Sequence, residues 1–532
     1  MKTRPLTRSP RKTRTALLLA ATFLAGPLLL GGCTLKPQPL SLEDQQARAA
    51  ADLATLRGRV EPVTQAVTLE EATARAVKYN LDHRMQLMQV AVANRQLDLS
   101  RWDLLPKAAV SAGLVGRNNE AASSSLSVLT RQQSLEPSTS QDKGRGTADL
   151  QLSWSVLDFG LSYFQAKQNG DRALAMAEQR RVALHAIVQQ VRNAYWQAVA
   201  AERVAKQIEP IVADARRALE NAREIERQRL KPPLEALRYQ KGMIEVLRQL
   251  EGTQAELVVA KAQLSGLMGL PPGTPFELAV PPSVTRPPEV KVPVPELERI
   301  ALVNRPELRE QAYQTRISEV EVRKALFRLL PNLGVNAGGY YDSNSFLVNQ
   351  AWAEGGLRLS WSLVNLLSGR DVLGLAETQK EMTETRRLAL AMTVLTQVNV
   401  AWQGYGRART QFTQAAELDE IERRIFEQVS TQQNSDAEGE LEKIRSASAR
   451  IAAELTRHKA YADMQNALAS LYVAVGMDPL PDMVADHSLP TLAKAVADSN
   501  ARIETGTFDM QAPITNEVPP APPVTNVAAP TS

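Results

Sequence analysis

The chain has 532 residues, of which 44% are apolar and only 5% are aromatic, and its formal net charge is +4. Its high content of Ala, Leu, Gln, Arg and Glu is typical of long helices and coiled coils. A single cysteine excludes a framework of disulfide bonds.

Residues 1–32 are predicted to be a lipoprotein signal peptide. Six basic residues and no acidic residue precede an apolar run from Ala16 to Leu30, which is too short to span a membrane comfortably. The run ends in Leu30-Gly31-Gly32-Cys33, which resembles a bacterial lipobox, so Cys33 is the predicted lipidation site. Removal of the six basic residues changes the net charge from +4 to −2. The mature chain therefore lacks the basic character of a nucleic-acid-binding protein.

The chain repeats itself at an offset of 207 residues. The segment Leu152–Val156 corresponds to Leu359–Leu363, and Gly266–Gly269 corresponds to Val473–Gly476. Each copy should then be one structural unit. We predict an N-terminal periplasmic segment, a first repeat, a connector with nine prolines, a second repeat and a disordered C-terminal tail, with the bounds 33–67, 68–270, 271–295, 296–481 and 482–532.

Each copy is predicted to begin with a helix that ends at a proline. The first helix runs from Thr68 to about Leu105 and stops before Pro106, and its counterpart runs from Pro295 to Leu330. Two strand patterns of period two follow in each copy. In the clearer, returning strand, apolar and polar residues alternate from Leu150 to Val156 and from Leu357 to Leu363, as expected of a strand with one face in an outer membrane. A half-buried soluble sheet gives the same alternation.

Beyond the strands, heptad spacing predicts coiled-coil helices. The first long helix is expected from about Ser162 to Leu230, with a kink at Pro210, and the second copy has no proline from Asn332 to Asp478. Each long helix should turn back into a helix of about 36 residues. This return helix and the first helix of a copy could then stack end to end beside one long helix.

Two copies supply only four strands. Because lipid offers no hydrogen-bond partners to an open sheet edge, these strands must be pooled with those of other chains. A dimer would supply eight strands and a trimer twelve, and sequence physics alone does not choose between them.

Several short motifs, together with their order and duplication, resemble those of the TolC-type outer-membrane efflux proteins. They are Ala301–Leu308, Leu330–Leu333, the paired Ser-Trp-Ser strands, Ala194–Trp196 and Leu267–Pro271, and the resemblance covers about Thr68 to Pro481. It implies a mainly α fold with a small membrane β part, in which a homotrimer forms a twelve-stranded β-barrel continued by an α-helical periplasmic tunnel. It also implies an outer-membrane channel of a tripartite efflux system. Such a channel passively carries small toxic compounds received from an inner-membrane transporter through a periplasmic adaptor (membrane fusion) protein.

The resemblance further implies a periplasmic gate and docking turns. Glu235 and Glu442 occupy the positions of the family's acidic constriction, where a ring of carboxylates would favour cations. Arg445 stands where the family can carry a second acid, and Pro232-Pro233 replaces a common glycine. The candidate adaptor-docking turns are formed by Leu230, Lys231, Pro232, Asn434, Ser435 and Asp436.

The sequence contains no pattern for catalysis, a metal or a cofactor. The four histidines lack metal-ligand spacing, and neither a Walker loop nor a Gly-x-Ser-x-Gly elbow occurs. The chain is therefore expected not to be an enzyme. Lipidation at Cys33 predicts an outer-membrane anchor with the helices and tail in the periplasm. Two other functions stay open: a channel for type I protein or polysaccharide export, and a structural periplasmic coiled-coil lipoprotein without a pore.

Overall fold

The computed structural model describes residues 39–134, 136–228, 232–271, 273–279, 289–431, 437–481 and 486–510. Residues up to Arg59 form one compact unit, and Val60 begins a second. The described part of the first unit contains one helix, α1 (Leu42–Gly58), which has no buried residue. Ser41 and Asp44 form a capping box at its start, because each side chain bonds the backbone N–H of the other residue.

The second unit contains the two copies. The helices of the first copy are α2 (Leu69–Tyr79), α3 (Leu81–Trp102), α4 (Val156–Arg227) and α5 (Pro233–Leu267), and its strands are β1 (Lys107–Gly116), β2 (Ala122–Ser123), β3 (Ser138–Thr139) and β4 (Gly144–Ser155). The second copy has α6 (Val294–Asn304), α7 (Pro306–Phe327), β5 (Asn332–Asp342), β6 (Ala351–Ser360), α8 (Leu363–Thr431) and α9 (Ala437–Val475), and is followed by α10 (Leu489–Thr505).

The four long strands form one antiparallel sheet in the order β1-β4-β5-β6. Each copy contributes one hairpin, as predicted from the period-two patterns. The hairpins are joined by nine residue pairs between β4 and β5, from Thr147 with Asp342 to Ser155 with Gly334. The returning strand of the first copy therefore pairs with the outgoing strand of the second.

The helices lie in the same order as the strands to which they are joined, since α3 precedes β1, α4 follows β4, α7 precedes β5 and α8 follows β6. Helices α7 and α9 both lie between α4 and α8, and they contact successive stretches of α4. Helices α3 and α5 also pack on α4. The layer order is therefore α3 with α5, then α4, then α7 with α9, then α8. Two short helices thus lie beside one long helix, as the sequence predicts.

Each return helix buries the heptad seam of its own long helix. In the first copy, Val191 and Ala198 of α4 pack in one core with Leu264 of α5. In the second copy, Val398 of α8 packs with Leu471 of α9, which corresponds to Leu264 at the 207 offset. Full burial of a leucine contributes about 1.5–3 kcal/mol, so this repeated seam is a principal source of stability.

The first helix of each copy is broken, which corrects the prediction of one continuous helix. Asn80 separates α2 from α3 with φ −62° and ψ 126°, and Arg305 separates α6 from α7 with φ −58° and ψ 120°. The Oδ1 of Asn80 caps α3, whereas Arg305 precedes Pro306, which disfavours a helical conformation at the residue before it. The breaks correspond at an offset of 225 residues.

A glycine from the end of each return helix fills each break. Gly269 and Gly476 have φ values of +72° and +81°, in the left-handed region. A Cβ at Gly476 would lie 2.7 Å from the backbone nitrogen of Arg305, and one at Gly269 would lie 2.9 Å from the Cβ of Tyr79. The repeat therefore extends to individual backbone contacts.

The first long helix begins six residues earlier than predicted, at Val156, and Pro210 lies within it. Its predicted end, Leu230, lies outside the described residues. Within the described ranges, no helix combines the length and the hydropathy that crossing a membrane requires.

Helix α10 corrects the prediction that the chain is disordered throughout 482–532. Ser488 caps its start, and Gly506, with φ +69°, ends it. Leu489 and Leu492 pack with Ala74 and Tyr79 of the first copy. This distant apolar partner stabilises the helix, and residues 482–485 and 511–532 lie outside the described part.

The loop between β1 and β4 forms a small hairpin, here called the arm (residues 117–143). Strands β2 and β3 pair near its base, and Ser134 N donates to Ser125 O nearer the tip. The base is bonded to the second copy through buried Asn344, whose Nδ2 donates to Ser140 O at 2.9 Å while its Oδ1 accepts from Asp142 N at 3.1 Å. The repeat offset falls from 225 before this loop to 207 after it. The loop that contains the arm is therefore 18 residues longer than the loop between β5 and β6.

Substitution of Gly476 should test the helix-break contact. We expect Gly476→Ala to lower the free energy of unfolding by at least about 1 kcal/mol, because a left-handed conformation costs about that much for a residue with a Cβ and the added carbon also meets backbone. Urea unfolding followed by circular dichroism measures the change. Gly252→Ala is the control, since its Cβ meets nothing within 4 Å, and it should not destabilise. Equal stability of Gly476→Ala and the parent protein would contradict the proposed contact.

Candidate functional site

The two faces of the sheet differ in chemistry. On one face, cross-strand pairs join apolar side chains: Val110 with Leu150, Trp154 with Val335, and Val335 with Leu357. All five of these side chains are exposed, which is unusual for a continuous apolar surface. The face has no covering element among the described residues of the chain.

The opposite face carries mainly polar residues and glycine, together with the stacked rings of Tyr340 and Trp352. Ser111 pairs with Asp149 and donates a hydrogen bond to its carboxylate, and Gln151 and Glu354 both pair with Gly338. At the end of the sheet that adjoins the long helices, Ser155 Oγ donates to Asn332 Oδ1 at 2.7 Å. One sheet therefore offers an apolar surface and a polar surface on its two sides.

A buried charged cluster joins the two copies where α9 ends. Arg181 of α4 donates from Nη2 to Asp478 Oδ2 at 2.8 Å and from Nε to Oδ1 at 3.1 Å. His185 Nε2 lies 2.7 Å from the same Oδ1 and donates to it. Arg181 also donates from Nη1 to Glu178 at 2.5 Å. The cluster fixes the end of the second copy to the long helix of the first.

Burial and pairing act in opposite directions on Asp478. Burial alone would raise the pKa of Asp478, but the hydrogen bond from His185 and the charge of Arg181 outweigh it, so the pKa lies below its ordinary value. Burial raises the pKa of Glu178 despite its bond to Arg181. Asp478 is therefore the carboxylate that neutralises Arg181 most firmly.

The sequence did not predict this cluster, because His185 was considered, like the other histidines, only for metal-ligand spacing. Arg181 and His185 are four residues apart on one helix face, which was the available signal, but their partner is nearly 300 residues away in sequence. Two other histidines are also buried: His83 Nδ1 lies 2.9 Å from Val77 O, and His458 lies beside Glu454. Among the residues that the structure describes, no three His, Cys, Asp or Glu side chains could together hold a metal ion.

The predicted gate residues lie at the starts of the two return helices. Glu235 is half-buried in the first turn of α5, and Glu442 is exposed near the start of α9. Neighbouring Ala236 and Ile444 are buried, but their repeat counterparts Lys443 and Leu237 are exposed, so the two segments pack differently. Pro232 precedes the first residue of α5 and is exposed. The other docking-turn residues and the lipidation site lie outside the described residues: Leu230, Lys231, Asn434, Ser435, Asp436 and Cys33.

Each gate glutamate is followed three residues later by an arginine. Arg238 follows Glu235, and Arg445 follows Glu442, at the same 207 offset. The guanidinium of Arg445 lies against α5 at Gly242, where a Cβ would come within 2.6 Å of Nη2. The turn end of each copy therefore carries an acid and a base, and only Arg445 was noticed in the sequence.

Comparison with solved structures identifies this arrangement. The chain is similar to the outer-membrane channel OprN, with a TM-score of 0.59 and 17% identity over 77% of this chain and 89% of that one. It is also similar to the CmeC outer membrane channel of Campylobacter jejuni, with a TM-score of 0.62 and 14% identity over 81% and 89% of the two chains. For the outer membrane protein VceC of Vibrio cholerae, the TM-score is 0.56 with 13% identity over 77% and 96%.

The chain has the TolC-type fold. No protein-family model matches it, and no curated protein sequence does either. At identities of 13–17% the similarity establishes the fold, and the sequence-based resemblance is confirmed at that level. In this TolC-type fold, the helical layer and the sheet both come from duplicated halves.

Neutralisation of Asp478 should destabilise the fold. We expect Asp478→Asn to lower the free energy of unfolding by about 3 kcal/mol, because Arg181 is buried and loses a charged partner. Because the pKa of Asp478 is depressed, its contribution is fully present above the ordinary value near 3.8 and is lost as the pH falls through the lower folded pKa. Asp478→Asn should therefore unfold with less acid dependence below pH 4 than the parent protein.

Urea unfolding at pH 7 and in acid measures both effects. Glu420→Gln is the matched control, since Glu420 forms an exposed pair with Arg423 and its loss should change stability little. If Asp478→Asn unfolded at the same urea concentration as the parent protein, the cluster would not be a stabilising contact.

Proposed function

We propose that this chain is a subunit of an outer-membrane channel, in which several copies close head to tail into a β-barrel continued by a helical tunnel. The observation that supports this most directly is the sheet with one exposed apolar face and one polar face. An apolar exterior suits lipid and a polar interior suits water, which is the pattern of a membrane barrel with a lumen.

The open edges of the sheet support ring closure. Within the described residues, β1 pairs only with β4, and β6 pairs only with β5. In hydrocarbon, each unsatisfied backbone group of these edges would cost several kcal/mol. Pairing of β6 of one chain with β1 of the next chain satisfies both edges, and repetition of this pairing closes the barrel.

The helical layer supports the same ring. In the second copy, α7 lies between α4 and α8, but its counterpart α3 contacts only α4 among the two long helices. Its outer face exposes an apolar heptad row that begins with Leu81, Met85 and Met88. The α8 helix of a neighbouring chain would cover this row as α4 covers α7 within one chain.

We infer three copies and twelve strands, because that number leaves room for a lumen and is the number that the TolC-type resemblance implies. The channel would be a passive conduit of a tripartite efflux system for small toxic compounds. An inner-membrane pump would supply the energy, and a periplasmic adaptor would contact the turns around Leu230–Pro232 and Asn434–Asp436. Solved structures with this fold are described as outer-membrane channels.

Pore formation is tested by single-channel conductance of the purified protein in planar bilayers. We expect discrete conductance steps. In a separate test, a cell that lacks the protein should become more sensitive to drugs or metals. Absence of conductance and of a stable oligomer in outer-membrane fractions would favour a coiled-coil lipoprotein without a pore. Conductance with unchanged sensitivity across a broad panel would instead favour protein or polysaccharide export.

Lipidation at Cys33 is tested by metabolic labelling with palmitate. The parent protein should incorporate the label, and Cys33→Ser should not, because the chain has no other cysteine. Cys33→Ser should also leave the outer-membrane fraction more readily on washing if the anchor contributes to attachment. Equal labelling of the two proteins would exclude this lipid site.

The gate proposal is tested by ion selectivity. A ring of Glu442 carboxylates in a constriction should favour cations, so Glu442→Gln should lower the cation-to-anion permeability ratio. Reversal potentials under a salt gradient measure it. Glu381→Gln makes the same charge change in the first third of α8, far from the turn, and should have a smaller effect. An unchanged ratio in Glu442→Gln would remove Glu442 from the gate.

A further inference from the structure

The internal repeat predicts contacts that one chain cannot make alone. Within the chain, α4 of the first copy packs against α7 and α9 of the second. At the repeat offsets, the counterpart of α4 is α8, and the counterparts of α7 and α9 are α3 and α5. Every contact between α4 and α7 or α9 within a chain therefore predicts an equivalent contact between two chains. In that contact, α8 of one chain meets α3 or α5 of its neighbour.

Polar pairs occur at several positions of this seam within the chain. Asn466 Nδ2 of α9 donates to Asn193 Oδ1 of α4 at 2.7 Å. Farther along α4, Lys324 Nζ of α7 donates to Gln168 Oε1 at 3.4 Å. The Arg181–Asp478 pair lies between these two positions. Hydrogen-bonded side chains thus occur from Gln168 to Asn193 of α4, whereas Ile208 farther along shares an apolar core with Ile451 of α9.

The counterparts of these residues are apolar and exposed. Asn193 and Asn466 correspond to Val400 and Val259, which are 66% and 55% exposed. Gln168 corresponds to Leu375 and Lys324 corresponds to Leu99, which are 61% and 66% exposed. The same exchange affects the charged cluster, where Arg181 and His185 correspond to exposed Leu388 and Met392.

We propose that a second copy of this chain covers these residues in the register of the internal repeat. Val400 of one chain then contacts Val259 of the next chain, and Leu375 of the first contacts Leu99 of the second. This inference rests on the proposed ring and adds to it the residue pairs and their chemistry. At these positions the seam within a chain contains polar pairs, and the seam between chains buries aliphatic side chains.

The difference in chemistry also specifies where copies join. A neighbouring α3 or α5 that entered beside α4 in place of α7 or α9 would leave Gln168 and Arg181 without their polar partners, which is costly because both side chains are buried. An aliphatic edge on both sides of the chain has no such cost. Copies therefore add at the open edges only.

Disulfide crosslinking tests the register. The double variant Val259→Cys with Val400→Cys should form covalent oligomers under mild oxidation, with a ladder that ends at the number of copies in the ring. The double variant Asn193→Cys with Asn466→Cys is the matched positive control, because those positions already face each other within one chain and should link without oligomer bands. Either single variant of the first pair should give no ladder.

A register control uses Ile244, which is exposed on the same helix as Val259 but lies 15 residues away, or roughly 22 Å at 1.5 Å per residue. Ile244→Cys with Val400→Cys should not link, because a disulfide requires Cα atoms within about 7 Å. A ladder from this control, or none from Val259→Cys with Val400→Cys while native sizing still gives the oligomer, would overturn the register. A monomer on native sizing would remove the proposed ring itself.

Charge substitution gives a second test that does not require oxidation. Val400→Asp should abolish the oligomer on native sizing, because it places a carboxylate in an aliphatic seam. Val259→Lys in the same chain should restore the oligomer, since each introduced carboxylate would then meet the introduced ammonium group of the next copy. Restoration by Val259→Lys but not by Ile244→Lys supports the pairing, and oligomers that survive Val400→Asp unchanged contradict it.

Discussion

The pairing of β4 with β5 is the contact on which the rest of the structure depends. It joins the hairpins of the two copies through nine residue pairs, and it fixes both which strands stay at the edges and which faces they share. A shift of one residue would exchange the apolar and polar faces of one hairpin relative to the other. Because each strand continues into, or follows, one particular helix, the same pairing sets the order of the helical layer.

Below the sheet, separate contacts maintain that order. The Arg181–Asp478–His185 cluster holds the end of the second copy on α4, and the asparagine pair Asn193–Asn466 lies farther along the same seam. Gly269 and Gly476 fill the two helix breaks. The duplicated copies thus use the same backbone contacts but different side-chain chemistry, which allows one seam to be internal and the equivalent seam to be external.

Much of the architecture could be predicted from the sequence because it depends on local periodicity. Alternation of period two located the hairpins, and heptad spacing with few prolines located α4 and α8. The break at Asn80 could not be predicted in this way, since the glycine that packs against it comes from far along the chain. The break at Arg305 did have a local signal, the proline that follows it, and this signal was overlooked. Helix α10 was missed for a related reason, because its apolar face packs on Tyr79, some 400 residues earlier. The prediction of a gate at Glu235 and Glu442 considered the two acids, but of the arginines that follow them it recognised only Arg445.

The arm between β1 and β4 breaks the equivalence of the two hairpins. It is bonded through Asn344 to the short turn of the second copy, and its tip exposes Val128 and Leu129. A ring of identical subunits would have two hairpins for every arm. The hairpins in the barrel wall would then repeat twice as often around the axis as the arms on the outer rim. A molecule that approached from outside would meet hairpins with and without an arm in alternation, whereas one inside would meet a nearly uniform wall.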